Sequence, residues 1–232
     1  MNLAARSDAA ELMDTDTTDA ADYRACLRDL ATVNQVFLAA RPTLAFLDRA
    51  VVGWPRERVL RVCDVAFGEG DMLRKVAAWA QARGCRIELH GIDMNPGAAA
   101  AAQATAPNIA MTLHTGDVLA YAPDAPYDVI LSSLFTHHLS NRQVVEFLRW
   151  MERHSVRGWF VNDLLRHPLP YHGFRAISAA FGWHRFVRHD GPVSIARAFR
   201  RDEWTALLAE AGVVGATIEL WTPFRLCISM LR

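Results

Sequence analysis

The stretch Val-Leu-Arg-Val-Cys-Asp-Val-Ala-Phe-Gly-Glu-Gly-Asp, residues 59–71, constrains this chain more than any other. An apolar run suited to a buried strand ends at Asp64, passes into a turn of small residues and opens a helix near Asp71. That is the strand, turn and helix beginning of a nucleotide-binding α/β domain. The charge of the turn indicates its ligand. A dinucleotide would bring pyrophosphate to the helix N-terminus and calls for a third glycine, where this chain has Leu73. Asp64, Glu69 and Asp71 would also surround that phosphate with carboxylates, so a cationic ligand suits the turn better.

The pattern recurs along the chain. The turn helix runs to Arg83 and stops at Gly84. A strand over 86–93 then closes on Asp93, some 20 or more residues beyond the glycines, where a carboxylate can accept both hydroxyls of a ribose. Its alternative role is interaction with the positive end of the following helix. A third strand over 109–114 leads to Asp117. Residues 127–134, nearly all apolar, read as a central parallel strand buried on both faces. Residues 156–164 give a fifth strand with the polar end Asn162-Asp163, and Ser140 can cap the helix between these two strands. His189-Asp190-Gly191-Pro192 reads as a turn, a helix from Arg201 closes at Gly212, and two apolar strands around Thr222-Pro223 form a terminal hairpin.

These residues resemble the first motif of class I S-adenosylmethionine-dependent methyltransferases, an acidic strand end followed by small-x-Gly-x-Gly. More narrowly, residues 55–232 resemble bacterial small-molecule methyltransferases of quinone and polyketide type. The resemblance implies a doubly wound, mostly parallel seven-stranded sheet with an antiparallel last strand, and S-adenosylmethionine as cofactor. It implies Asp64, Ala66, Gly68 and Gly70 around the methionine and ribose parts, Asp93 on the ribose, Met94 against the adenine, Asp117 and the Val118 N–H at the adenine edge, and Ser132 at the fourth strand's end. Ala66 departs from the family's usual glycine. A Cβ there is costly at positive φ, which predicts either a negative-φ turn or weakened cofactor binding.

In that family the end of the fourth strand faces the transferred methyl group, and here it carries His137-His138. Methylating a hydroxyl or an activated carbon requires removal of a proton, which imidazole can accept near neutral pH. Both histidines are catalytic candidates. Adjacent side chains diverge, so His137 is the expected base and His138 a packed partner supporting the loop. No metal is expected, since neighbouring histidines are poor co-ligands and no carboxylate stands at ligand spacing in sequence. From Arg166 the chain turns basic and aromatic. Arg166, His167 and His172 are substrate-side candidates for a planar, electron-rich or anionic acceptor, and the alternative is an amphipathic helix with solvated charges.

Residues 1–20 have too little apolar surface to order alone and read as a frayed tail. Residues 21–54 read as a helical cap, with Tyr23, Leu27, Leu30, Val33 and Phe37 at helical spacing and Thr43 capping a second helix. The cap either packs on the sheet or acts as a lid. Residues 55–232 form the main domain, with a substrate-side insertion at 165–200. Lys+Arg and Asp+Glu both number 25, so nothing attracts nucleic acid or anionic lipid in general. The four scattered cysteines suit reduced thiols, and no apolar run approaches the ~20 residues of a membrane span. The expectation is a cytoplasmic bacterial enzyme of secondary metabolism that methylates a phenolic, quinol or polyketide-type small molecule, with a homodimer compatible with the sequence. Two rivals remain: a catalytically inactive cofactor-binding protein of the same fold, and a nucleotide-dependent oxidoreductase.

Overall fold

The computed structural model describes residues 3–15 and 20–232, apart from the side chains of residues 14, 15, 20–24, 27, 28 and 31. The Tyr23 and Leu27 positions of the first helical stripe therefore lie outside the described side chains. A short helix α1 (Leu12–Thr15), α2 (Ala20–Val36) and α3 (Arg41–Ala50) precede the sheet. There follow β1 (Leu60–Val65), α4 (Asp71–Arg83), β2 (Ile87–Asp93), α5 (Ala98–Thr105), β3 (Met111–Thr115), β4 (Tyr127–Ser133), α6 (Asn141–His154) and β5 (Ser155–Leu164). The chain ends with α7 (Pro168–Ala180), α8 (Arg185–Arg197), α9 (Arg201–Ala211), β6 (Thr217–Trp221) and β7 (Arg225–Leu231).

The seven strands lie in the order β3-β2-β1-β4-β5-β7-β6, and β7 runs antiparallel to both its neighbours. Chain direction across the sheet reverses between β1 and β4, so a crevice opens at their carboxyl ends, where ligands of open α/β sheets bind. Residues 60, 62–65 and 127–132 are buried because helices cover both faces, which explains their largely apolar, non-alternating runs. Alternation along each strand divides the core. Val62 and Leu131 pack with Phe46, Leu73, Val76 and Phe160 on one face, while Cys63 and Ile130 pack with Val144, Phe147, Met151 and Trp204 on the other. Each such large side chain contributes about 1.5–3 kcal/mol on burial. Local signals set the helix ends: Ser140 and Gln143 form a capping box before α6, and Gly84 and Gly212 close α4 and α9 in left-handed geometry.

Three expectations are corrected. Residues 3–13 do not fray but lie across α8 as a strap. Ser7 N–H donates to the Ala196 carbonyl, the Leu12 and Met13 N–H groups donate to the Asp190 carboxylate, and the Arg166 guanidinium donates to the Leu3 carbonyl. Asp190-Gly191-Pro192 is no turn but lies inside α8. Proline there removes only one helical donor, the Asp190 side chain anchors the strap, and a Cβ on Gly191 would stand 2.1 Å from the Phe174 ring. Thr43 caps nothing. Pro42 occupies the first turn of α3, and the buried Thr43 hydroxyl accepts from Asn162 Nδ2 at 3.1 Å.

Candidate active site

The turn after β1 holds three left-handed positions, at alternate residues. Ala66 has φ 61°, Gly68 55° and Gly70 74°. Of the two outcomes expected at Ala66, a negative-φ turn or weakened cofactor binding, the first is thus overturned. Its N–H donates to the Ile92 carbonyl at 2.8 Å, which ties the turn to β2 and holds alanine in a region that costs an L-residue about 1–2 kcal/mol. Leu134, just past β4, has φ 56° and stands across the same crevice. Strain at both lips of one cleft is the pattern of a ligand site.

Asp64 is 2% exposed, and its carboxylate makes no hydrogen bond or ion pair among the described residues. Burial, then Asp93 and Asp71, pushes its carboxyl up to about 8. It lines a cavity of about 120 Å³ with Ala66, Phe67, Asp71, Lys75 and Ser133, and with Asn34, Ala39 and Ala40 from the segment that precedes the sheet. The Ser133 hydroxyl is buried there without a partner, and so is that of Ser132, which lies in register with Val65 and does not line the cavity. Asp93 stands beside this site at the end of β2, accepting from Gly68 N–H through Oδ2 and from Asn95 N–H through Oδ1, each at 2.8 Å. Its carbonyl accepts from Gly116 N–H at 2.9 Å, which places Asp117 just beyond the neighbouring strand end. Asp117 is exposed and accepts from Leu119 N–H, Val118 is buried beneath it, and Met94 is 69% exposed. The three aspartates therefore follow three adjacent strands, but only Asp64 faces the enclosed cavity.

His137 and Asp163 meet at the ends of β4 and β5. Asp163 Oδ1 lies 2.7 Å from His137 Nδ1, while its Oδ2 accepts from the Thr136 hydroxyl at 2.5 Å and from His137 N–H at 3.0 Å. Burial favours the neutral acid, but His137 and these hydrogen bonds outweigh it and hold the Asp163 carboxyl well below the usual carboxylate range. The Nδ1 proton is thereby assigned to the Asp163 side, leaving Nε2 as the open nitrogen. Glu11 of the strap reaches the other edge of the ring, its Oε1 3.7 Å from His137 Nε2 and 4.0 Å from His138 Nε2. The carboxylate missing from the local sequence is supplied by the distant strap, and the three ligand-type atoms lie within 4.8 Å of one another. Burial, His137 and Arg197 hold the His138 ring to about 3, so it stays neutral. Arg6 and Arg197 fix the loop by donating to the His137 carbonyl. A cavity of about 230 Å³ runs past Glu11, His137 and His138 and shares Asn34, Leu134 and Arg225 with the Asp64 cavity.

The substrate-side candidates are placed elsewhere. Arg166 is 1% exposed and is tied to the Leu3 and Ala198 carbonyls and to Glu203 at 2.5 Å. His167 caps α7 by accepting from Leu169 N–H. His172 lies on a basic surface groove with Arg175 and Arg188. None of the three lines either cavity: Arg166 is buried under the strap, His167 caps α7, and the winding of α7 turns His172 outward while Tyr171 faces inward. Sequence reasoning missed Glu11, which carries no local signal, and Arg225, the single charge in the otherwise apolar terminal strand. Asp163 was visible only as a polar strand end.

Residues 62–158 match the family model described as "Methyltransferase domain". No curated protein sequence matches the chain. Among solved structures, the plantazolicin methyltransferase BpumL in complex with SAH superposes with TM-score 0.70 at 14% identity, over 95% of this chain and 92% of that one. The magnesium protoporphyrin IX methyltransferase ChlM from Synechocystis, with bound SAH, gives 0.54 at 14% identity over 84% of each chain. A proposed O-methyltransferase from Nostoc punctiforme gives 0.60 at 17% identity over 88% of this chain, which spans 59% of that protein's length. These likenesses are of fold.

Proposed function

We propose, from the methyltransferase-domain match over residues 62–158 and the geometry of the turn after β1, that this chain is a class I S-adenosylmethionine-dependent methyltransferase acting on a small-molecule acceptor, a phenolic, quinol or polyketide-type ring, with His137 as general base. The residues at the turn fit the cofactor: Asp64 is a buried carboxylate lacking a cation, Ser133 offers an unpartnered hydroxyl, and the left-handed backbone at Ala66, Gly68 and Gly70 lets a ligand approach closely. Asp64 would hold its ammonium group and Asp93 its ribose. When bound, it supplies an electrophilic methyl group on a sulfonium.

The observation that carries the acid–base reading is the buried His137–Asp163 pair at 2.7 Å, whose His137 lines a cavity that shares walls with the Asp64 cavity. Asp163 orients the ring so that Nε2 faces the acceptor, and Nε2 takes the proton from the acceptor hydroxyl as that oxygen gains the methyl group. The imidazolium formed stands between Asp163 and Glu11, two carboxylates that stabilise it. Alignment and exclusion of water under α2 supply much of the remaining rate. The separations among Glu11, His137 and His138 exceed those of ligands each about 2.0–2.1 Å from one tetrahedral ion, which favours the base over a metal centre.

The test is transfer of isotopically labelled methyl from S-adenosylmethionine to a panel of phenols and quinols, read by mass spectrometry. His137→Ala should lower kcat by about 10²–10⁴-fold at saturating acceptor with unchanged SAH affinity. An unchanged kcat removes His137 from the mechanism.

A further inference from the structure

Arg225 begins β7, is 4% exposed, and its Nη1 has neither solvent nor a hydrogen-bond partner. It forms no ion pair among the described residues. Asp163 is its strongest electrostatic complement, yet the Asp163 oxygens already serve Thr136, His137 and Leu164 N–H. Burial accordingly lowers the proton affinity of the guanidinium. A buried cation without a counterion is a standing demand for an anion.

Arg225 lines the Asp64 cavity, the histidine cavity and a third cavity of about 370 Å³. That volume falls within the ~300–1,000 Å³ typical of small-molecule sites. The walls of the third cavity are apolar, formed by such residues as Phe37, Leu164, Phe174, Ile177 and Phe224, and Arg225 is the sole charged side chain among them. Phe224, beside it, is held at φ 57°, another strained position on a cavity wall.

We propose that Arg225 is the anion-recognition residue of the acceptor site, and that the acceptor is an apolar molecule carrying one carboxylate, whose body fills the 370 Å³ cavity and whose charge pairs with the guanidinium. The proposal rests on the methyltransferase reading, because it assigns the bound molecule as acceptor. The same guanidinium borders the Asp64 cavity, so the methionine carboxylate of the cofactor is the competing source of the anion.

Calorimetric titration of the full chain with 2-naphthoate, its neutral amide 2-naphthamide and, separately, SAH distinguishes these. The wild type should bind naphthoate about tenfold or more tighter than naphthamide. Arg225→Met should bring the two to parity, leaving naphthamide and SAH affinities unchanged. Arg225→Lys keeps a charge but loses the planar fork and should show a severalfold smaller preference, which also covers the case in which the methionine variant fails to fold. Equal wild-type affinities, or a preference unaltered in the folded variants, would overturn the proposal. So would Arg225→Met weakening SAH while sparing the preference, which would assign the guanidinium to the cofactor. Failure of the wild type to bind SAH, with the naphthoate preference intact, would refute the methyltransferase reading and leave the anion site standing.

Discussion

Cofactor affinity should titrate with pH through Asp64. Its carboxyl, buried beside Asp93 and Asp71, is pushed up to about 8 from an ordinary value of 3.8. At about pH 6 roughly 1% of the unliganded molecules are charged there, and at about pH 8 roughly half are. An ammonium ligand selects the charged form, so SAH affinity should rise on the order of 50-fold between these pH values, about 2.3 kcal/mol, with close to one proton released per ligand at the lower pH. Stability of the unliganded protein runs the other way. A folded-state value above the unfolded one gives stability that is fully present below about pH 4 and is lost as pH rises through about 8. Asp64→Asn abolishes that loss, so the variant should melt above wild type near pH 8 while binding SAH weakly and without the pH slope. Calorimetry in two buffers of different ionisation heat gives affinity and proton release together, and thermal melts give the stability. A wild-type affinity that is flat across this range, or an asparagine variant that keeps the slope, refutes the assignment.

Asp163→Asn keeps the size of the side chain but removes the charge that orients and stabilises the His137 imidazolium; kcat should fall by about 10²-fold or more with a smaller change in KM, and stopped-flow rates equal to wild type would contradict this. Ala66→Gly relieves the left-handed strain of about 1–2 kcal/mol less the entropy glycine adds to the unfolded chain, so the melting temperature should rise by roughly 1–4 °C, and a fall would show that Ala66 is unstrained. Arg166→Met should cost about 3 kcal/mol, a drop of roughly 6–12 °C in melting temperature, while acceptor KM measured well below the melt stays constant; a raised KM would return Arg166 to the substrate site.

The sheet was legible because it is written locally. Apolar runs over 60–65 and 127–133 bury both faces, and Gly84, Ser140 and Gly212 mark helix ends through their own backbone or side-chain chemistry. The spacing of Asp64, Asp93 and Asp117 is likewise local to each strand end. The proposed acceptor side was not legible, since its partners are brought together only by tertiary structure. Asp163 reaches His137 through the pairing of β4 with β5, and Glu11 reaches it because Arg6, Arg197 and Asp190 hold the strap. The basic stretch after Arg166 misled for the opposite reason: its charges attracted attention, but Arg166 satisfies backbone carbonyls and His167 caps a helix.

The reversed direction of β7 has an evolutionary corollary. A strand running against its neighbours delivers its first residue, not its last, to the rim formed by the other strands' carboxyl ends, so Arg225 sits there at the mouth of an otherwise oily ribbon. In the proposed arrangement, cofactor chemistry belongs to one wing of the sheet, β1 to β3, and acceptor preference to the other. On that reading, a change at the opening residue of β7 would alter the client without disturbing the donor half of the machine.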